Sequence, residues 1–147
     1  MVEPDKNIND LKVLISEEEI KKASKELAEK IEAVLPENEP VYVICVLKGS
    51  VMFFTELTKH MTRNIQMEFI RISSYGNESK SSHNMQALDL TLPNLKDKNV
   101  VIVEDIIDTG LTARFLTDMF KIKHQPKKLL FVALLNKKCE RQADIEP

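Results

Sequence analysis

The fold of this chain is decided by residues 100–112, which read Val100-Val101-Ile102-Val103-Glu104-Asp105-Ile106-Ile107-Asp108-Thr109-Gly110-Leu111-Thr112. The first four residues are apolar on both alternating faces, which is typical of a strand covered on both sides in a parallel sheet. Two carboxylates end this strand, and a short polar loop leads into a predicted helix over residues 112–123. The stretch therefore predicts a buried strand that delivers a polar loop to one edge of a sheet.

The rest of the chain repeats this order of apolar strand and helix. Residues 41–47 form a second run that is apolar on both faces, and a helix is predicted directly after it over residues 51–61. Further strands are predicted over residues 65–72 and 129–135, with a weak strand near residues 87–90. Strands that alternate with helices indicate an α/β fold with a parallel sheet and helices on both faces.

The N-terminal region carries a helix signal. Ser16 and Glu19 have the spacing of a capping box, in which the hydroxyl and the carboxylate each satisfy a free amide at the helix start. Apolar residues then recur at helical spacing until Pro36. Much later, residues 73–85 are polar without any periodicity, which predicts a long loop of the kind that covers a binding site.

The composition argues against several classes of protein. The chain has 147 residues and a net charge of −2, which suits one compact domain and gives no overall attraction to nucleic acid. The longest apolar run has seven residues, too few to span a membrane, and the first residues lack a signal-peptide core. Cys45 and Cys139 do not have the spacing of a disulfide framework or a zinc site. We expect a cytoplasmic protein with a single domain over residues 1–147.

Two of the three glycines follow apolar strands, at the edge where parallel sheets bind ligands. Gly49 follows the strand at residues 41–47, and Gly110 lies in the loop after the strand at residues 100–103. Thr109, Gly110 and Thr112 place hydroxyls and free amides at a helix start, which favours a bound phosphate. Asp108 has a second interpretation, as the N-cap of that helix.

Glu104 and Asp105 indicate what lies beside the phosphate. Neighbouring carboxylates repel each other, so their position favours a cation or a polyol donor nearby. A ribose diol, with magnesium bound beside it, would satisfy both groups. The acidic pair and the helix start are about one sugar apart, so these residues indicate a ribose 5-phosphate ligand.

Residues 103–112 resemble the phosphoribosyl-pyrophosphate signature of the type I phosphoribosyltransferases, and in detail that of the hypoxanthine-guanine branch. Residues 47–50 resemble the pyrophosphate loop of that family, residues 71–76 the start of its mobile catalytic loop, and residues 134–137 the strand end that carries its purine-contacting lysine. The resemblance implies a Rossmann-like parallel-sheet core with a mobile loop. It also implies transfer of the 5-phosphoribosyl group to hypoxanthine or guanine, giving IMP or GMP and pyrophosphate.

The resemblance further implies which residues act. Substrate contacts are expected from Lys48, Gly49, Glu104, Asp105, Ile107, Asp108, Thr109, Gly110, Leu111, Thr112 and Lys137. Glu104 and Asp105 are expected to hold the ribose hydroxyls and the cofactor, Mg²⁺. Asp108 is the expected general base at purine N7, and Lys137 is expected to donate to the oxygen at purine position 6.

Two further expectations concern the loops. The Leu47–Lys48 peptide is expected to be cis, which would turn backbone amides toward pyrophosphate. Ser74 and Tyr75 are the remaining residues with an expected catalytic role, because their loop would close over the site and exclude water.

Members of the family usually form homodimers or homotetramers, and the same assembly is expected here.

The chain departs from the family pattern in three places. Relatives continue beyond Pro147 into the segment that reads the purine, so we expect a C-terminally truncated chain that lacks this segment. Asn136 stands where bacterial relatives usually carry an acidic residue, and Leu111 replaces a common lysine or serine-like position.

Three alternatives remain open at this stage. The first is a phosphoribosyltransferase for xanthine, adenine or a pyrimidine. The second is a regulator that uses this fold to bind RNA, although the basic cluster over residues 121–128 is explained by a solvated helix end. The third is an inactive domain that binds phosphoribosyl compounds without turning them over.

Overall fold

The computed structural model describes residues 12–75, 84–88 and 91–138, and side chains are described for residues 12–73 and 91–138. The elements in chain order are α1 (Glu17–Val34), β1 (Val41–Leu47), α2 (Val51–Lys59), β2 (Ile65–Tyr75), β3 (Asn84–Leu88), β4 (Asn99–Ile107), α3 (Leu111–Met119), one π-helical turn (Phe120–His124) and β5 (Lys128–Asn136). None of the helices within these ranges is both long enough and apolar enough to cross a membrane.

Five strands form one sheet in the order β3-β2-β1-β4-β5. The strands β2, β1, β4 and β5 run parallel, and β3 pairs antiparallel with β2 at one edge. At the centre, Cys45 of β1 pairs with Phe69 of β2 on one side and with Val103 of β4 on the other. The predicted parallel α/β sheet is therefore confirmed, with one antiparallel strand added at its edge.

Both faces of the central strands are covered, as the apolar runs predict. Val101 and Val103 are fully buried against α1 and α2, where Ile31, Phe53 and Leu57 form the facing layer. On the other face, residues Val100 and Ile102 are fully buried against Leu116 and Phe120, which lie in α3 and in the π-helical turn. Because neighbouring residues of a strand point to opposite faces, only a run of consecutive apolar residues fills both layers.

The capping box at the start of α1 forms as the sequence predicts. The amide of Glu19 donates to Ser16 Oγ at 3.1 Å, and the amide of Ser16 donates to Glu19 Oε2 at 2.7 Å. Each side chain thereby satisfies one amide that has no partner within the helix. The helix that follows ends at Val34, two residues before Pro36.

The predicted loop over residues 73–85 was too long at both ends. Strand β2 continues to Tyr75, and β3 begins at Asn84, which pairs with Tyr75. An antiparallel edge pair is held by main-chain hydrogen bonds, so its residues need not show the apolar pattern of a central strand. Residues 76–83, including Gly76, lie outside the described part of the chain.

Two other predicted boundaries also shift. The weak strand expected near residues 87–90 is β3, Asn84–Leu88, and the helix expected over residues 112–123 is α3 followed by the π-helical turn. The π-helical turn ends at His124, and its C-cap residue Gln125 has a left-handed backbone with φ 48°, directly before Pro126. The spacing of apolar residues in the sequence does not show where α geometry changes to π geometry.

Candidate active site

The candidate site lies where the central strands β1 and β4 separate. Their pairing ends at Cys45 and Val103, although β1 continues to Leu47 and β4 to Ile107. The helix after β1 covers one face of the sheet and the helix after β4 covers the other, so this is the switch point at which α/β sheets bind ligands. A cavity of about 390 Å³ opens here, lined by Val46, Leu47, Ile72, Glu104, Ile106, Ile107, Asp108, Thr109, Gly110, Thr112, Ala113 and Phe131.

The loop between β4 and α3 supplies one end of the cavity. Gly110 is the N-cap of α3 and has a left-handed backbone with φ 85°, which glycine adopts without the steric cost of a Cβ atom. No side chain caps this helix, and the amide of Leu111 donates to Thr109 Oγ1 at a long 3.4 Å. The interpretation of Asp108 as the N-cap is therefore wrong. The first-turn amides of α3 face a cavity lined by Thr109 and Thr112, which suits an anion.

The acidic pair at the end of β4 divides between the two faces of the sheet. Glu104 lines the cavity, whereas Asp105 lies toward α2, with its Oδ2 2.6 Å from the position that a Cβ atom on Gly49 would take. The other oxygen, Asp105 Oδ1, accepts a hydrogen bond from the amide of Ile106 at 2.8 Å. The two carboxylates start on different sides of the strand but remain close enough to interact with each other.

The charge of Glu104 is unfavourable in this position. Burial raises the pKa of Glu104 to about 8, and the hydrogen bond to Asp105 and the repulsion from its charge act in the same direction. A carboxylic acid held neutral near pH 7 ionises when a cation arrives, because the cation stabilises the charged form. Glu104 therefore loses its proton when a positive charge enters the cavity.

Asp108 and Lys137 are brought together from different strand ends. The Nζ atom of Lys137 lies 3.4 Å from Asp108 Oδ1, and both side chains are about half exposed. The amide of Lys137 donates to the carbonyl of Ile107 at 2.9 Å, which continues the pairing of β5 with β4 beyond Asn136. The expected general base, which lines the cavity, and the expected purine-reading lysine consequently lie beside each other.

The loop between β1 and α2 forms the opposite wall. Leu47 lines the cavity, and the Leu47–Lys48 peptide is cis, as the family resemblance implied. Lys48 and Gly49 are exposed, while the next residue, Ser50, is buried. The main-chain positions of Ser74 and Tyr75 are at the end of β2, and their side chains lie outside the described part of the structure.

The sequence analysis missed the apolar walls of the cavity. Val46, Ile72 and Phe131 lie on three different strands and line the same space as Glu104. Their signal was present, since side chains on one face of a sheet recur with a period of two residues, and Ile102 and Glu104 belong to that series on β4. The two-residue period of each strand, combined with the register between neighbouring strands, identifies the apolar residues that line the cavity.

The residues present fit a magnesium ion that arrives with a phosphorylated substrate. No group of three or more His, Cys, Asp or Glu side chains within the described ranges is arranged to hold a metal by itself. Magnesium is usually held by only one or two carboxylates together with water and substrate phosphates. Glu104 and Asp105 provide two carboxylates of that kind, and burial together with the neighbouring Asp105 raises the pKa of Glu104.

Comparison with known sequences places these features in context. The profile described as the phosphoribosyl transferase domain matches residues 13–147. The hypoxanthine-guanine phosphoribosyltransferase of Bacillus subtilis (strain 168) is 38% identical over 135 residues, which cover 92% of this chain and 74% of the relative. The match therefore includes every element described here.

Solved structures are also similar. A hypoxanthine-guanine phosphoribosyltransferase from Bacillus anthracis superposes with a TM-score of 0.84 at 43% identity, covering 92% of this chain and 79% of that one. A mutant of the hypoxanthine phosphoribosyltransferase from Trypanosoma cruzi, complexed with the product IMP, gives a TM-score of 0.82 at 34% identity over 97% of this chain and 76% of that one. The likeness thus extends to both sequence and fold.

Proposed function

This chain belongs to the phosphoribosyl transferase family, and on that premise we propose that it is a purine-salvage enzyme. It transfers the 5-phosphoribosyl group of phosphoribosyl pyrophosphate to hypoxanthine, and also to guanine, and forms IMP or GMP with release of pyrophosphate. Relatives named for this activity are 38% and 43% identical over 92% of the chain. We further propose a cytoplasmic homodimer or homotetramer, which sedimentation of the purified chain tests.

The pairing of Asp108 with Lys137 carries the proposal. A 6-oxopurine presents N7 and the oxygen at position 6 side by side on one edge. Two protein groups 3.4 Å apart, one a proton acceptor and the other a cation, match that edge. Lys137 donates to the oxygen, and Asp108 takes the proton from N7 as N9 bonds to the ribose. Adenine carries a donor at position 6, which a lysine ammonium cannot accept from.

The ion pair between these two residues does not prevent purine binding. Both side chains are about half exposed, and an exposed ion pair of this kind contributes little stability. A purine is therefore able to separate Asp108 from Lys137, because it replaces their single contact with one hydrogen bond to each side chain. The positions of Ile107 and Lys137 are fixed by the main-chain hydrogen bond between them, so the two side chains move on a rigid support.

The 5-phosphate is held at the start of α3. The loop from Asp108 to Thr112 offers uncapped amides and two threonine hydroxyls, and its contacts to phosphate run mainly through the backbone. Leu111 is tolerated in this loop for that reason, since its amide donates while its side chain is not needed. The left-handed Gly110 allows the chain to turn sharply enough to present these amides together.

The acidic pair serves the ribose and the metal. Glu104 and Asp105 accept hydrogen bonds from the ribose hydroxyls and are the residues that would hold Mg²⁺. When bound, the ion neutralises charge on pyrophosphate and so makes it a better leaving group. The raised pKa of Glu104 supports this role, because a group that ionises readily beside a cation contributes most when the substrate brings one.

The remaining residues orient the leaving group and exclude water. Lys48 and Gly49 bind pyrophosphate through the exposed turn after β1. Ser74 and Tyr75, at the end of β2, close over the ribose while it carries positive charge, which prevents its capture by water.

The test is an assay of the chain with phosphoribosyl pyrophosphate, magnesium and one base at a time: hypoxanthine, guanine, xanthine, adenine or uracil. Chromatography of the products should show IMP and GMP. A product formed only from another base overturns the substrate assignment, and the absence of any product overturns transferase activity for this chain.

A matched pair of variants distinguishes the effect of a change in the site from the effect of the same change elsewhere on the surface. Asp108→Asn removes the proposed base, whereas Asp118→Asn changes an equally exposed aspartate on α3 that pairs with Arg114. We expect Asp108→Asn to lose most activity and Asp118→Asn to keep it. Equal activity of the two variants contradicts the role of Asp108.

A further inference from the structure

A buried hydroxyl lies directly beneath the exposed turn of Lys48 and Gly49. Ser50 is 1% exposed, although both residues before it are exposed. Its Oγ donates to the carbonyl of Val46 in β1 and lies 3.6 Å from the sulfur of Cys45. Ser50 thus ties the end of the turn back to the strand from which the turn departs.

This hydroxyl does not have the role that serine usually plays at a helix start. Ser50 is the N-cap residue of α2, yet its side chain makes no cap hydrogen bond with the helix. An N-cap serine ordinarily accepts a hydrogen bond from an amide of the first turn. Here the hydroxyl points backward across the turn, so it orders the loop instead of the helix.

A main-chain hydrogen bond also holds the turn. The amide of Val51 donates to the carbonyl of Lys48 at 3.2 Å, which closes the turn through the main chain. The side chain of Ser50 adds a second link, from the far side of the turn to Val46. Loss of the hydroxyl removes this second link and leaves Lys48 and Gly49 held less firmly.

The position of this turn also determines where Asp105 lies. The Oδ2 atom of Asp105 occupies the space beside Gly49 that a Cβ atom would fill at 2.6 Å. A displacement of a few tenths of an ångström at Gly49 therefore changes the space available to that carboxylate. Through the backbone, Ser50 is linked to one of the two acidic residues of the site.

We propose that Ser50 is a positioning residue, which fixes the turn of Lys48 and Gly49 for pyrophosphate and seats the Asp105 carboxylate against Gly49. The proposal rests on the proposed function for the identity of the ligand. Its structural part, the ordering of the turn by the hydroxyl, is measurable without any ligand.

Ser24 provides a matched control. It is also fully buried, and its Oγ donates at 2.8 Å to the carbonyl four residues earlier, Ile20. It lies on α1, whose residues do not line the cavity. Ser24→Ala and Ser50→Ala therefore remove the same kind of hydrogen bond, one away from the site and one beneath it.

The experiment measures binding of magnesium pyrophosphate by calorimetry for the wild type, Ser50→Ala, Ser50→Thr and Ser24→Ala. We expect about tenfold weaker binding for Ser50→Ala, equivalent to one hydrogen bond, and a change below about twofold for Ser24→Ala. Ser50→Thr retains the hydroxyl and should bind within about twofold of the wild type. With turnover, the KM for phosphoribosyl pyrophosphate should rise in Ser50→Ala while kcat changes little.

Amide exchange gives the second measurement. The amide of Val51, which donates to Lys48, should exchange faster in Ser50→Ala than in the wild type or Ser24→Ala. Unchanged exchange, or equal loss of affinity in both alanine variants, overturns the positioning role. A wild type that binds no pyrophosphate overturns the proposed function instead, and the exchange rates still decide the role of Ser50.

Discussion

The carboxylate of Asp105 fills the space beside Gly49, because Asp105 Oδ2 lies 2.6 Å from the position of a Cβ atom on that glycine. Real Cβ atoms do not come so close to an oxygen, so with any other residue at position 49 either the Asp105 carboxylate or the turn must shift. The backbone of Gly49 is not left-handed, and among the glycines of the described ranges only Gly110 is. The requirement for glycine at position 49 is therefore a matter of space and not of backbone conformation.

Gly49→Ala should impair binding more than stability. The added methyl group displaces the carboxylate of Asp105, which we expect to weaken magnesium pyrophosphate binding about tenfold. The turn is exposed, so unfolding in urea should change by less than about 1 kcal/mol. Calorimetry and urea titration measure the two effects separately.

Two companion variants make this prediction specific. Asp105→Ser shortens the side chain, so the double variant with Gly49→Ala should lose less affinity than the sum of both single changes. Gly110→Ala places a methyl group on a left-handed residue and should cost about 1–2 kcal/mol of stability. Additive losses in the double variant contradict a direct contact between Gly49 and Asp105.

The acidic pair predicts a dependence of stability on pH. The pKa of Glu104 is about 8 in the folded chain and 4.5 in its ordinary state, so the folded protein binds more protons between these values. The contribution of Glu104 to stability is therefore fully present below pH 4.5 and is lost as the pH rises through 8. Glu104→Gln should remove this dependence and stabilise the ligand-free protein at pH 9 by about 1 kcal/mol, once solvent screening of the partly exposed group is included.

Urea unfolding at pH 5, 7 and 9 checks this sign. Glu39 is a control of opposite sign, since hydrogen bonds from Lys127 and Asn99 lower its pKa. Its contribution is present above pH 4.5 and lost on acidification through its lowered pKa. A Glu104→Gln variant that is less stable than the wild type at pH 9 contradicts the assignment.

Substrate binding should release a proton near neutral pH. Glu104 is largely protonated at pH 7 and becomes charged when magnesium and phosphoribosyl pyrophosphate enter the cavity. Calorimetry in two buffers with different ionisation enthalpies measures the number of protons released. The release should disappear in Glu104→Gln and above about pH 9, and a release that persists in the variant assigns the proton to another group.

The sequence predicted the central sheet well because burial alone decides it. Val100 and Val101 point to opposite faces, and both are fully buried, which only an apolar residue tolerates without a hydrogen-bond partner. The edge of the sheet was less predictable. Ser73, Ser74 and Tyr75 extend β2 by pairing with β3, and main-chain pairing at an edge requires no apolar pattern in the sequence.

For the candidate site, the structure adds side-chain directions that the sequence pattern does not give. Glu104 and Asp105 are expected to hold one ribose together, and they lie on β4, where adjacent side chains start toward opposite faces. The two side chains still interact there, because the hydrogen bond to Asp105 and the repulsion from its charge both raise the pKa of Glu104. Lys137 and Asp108 meet because β4 and β5 are neighbours, and sequence order alone does not determine which strands are adjacent.

A buried asparagine at the amino ends of the strands, away from the site, should affect stability alone. Asn99, at the start of β4, is 1% exposed and donates from Nδ2 to Glu39 Oε2 at 2.8 Å. Asn99→Ala removes this hydrogen bond and leaves a small cavity, which should cost about 1–3 kcal/mol. Thermal unfolding measures the cost, and an equal fall in magnesium pyrophosphate affinity contradicts the separation of this edge from the site.

Lys137 should determine the choice of base without affecting phosphoribosyl pyrophosphate. Lys137→Met keeps most of the apolar length of the side chain but removes the ammonium group that faces Asp108 at 3.4 Å. A lost hydrogen bond from a charged donor should lower kcat/KM for hypoxanthine and guanine by about 10- to 100-fold, while magnesium pyrophosphate binds as before. Lys127→Met is the matched control, since Lys127 is similarly exposed but contacts Glu39 at the other edge of the sheet. If both variants retain full activity with hypoxanthine, Lys137 does not read the oxygen at position 6, and the assignment of a 6-oxopurine loses its support from this residue.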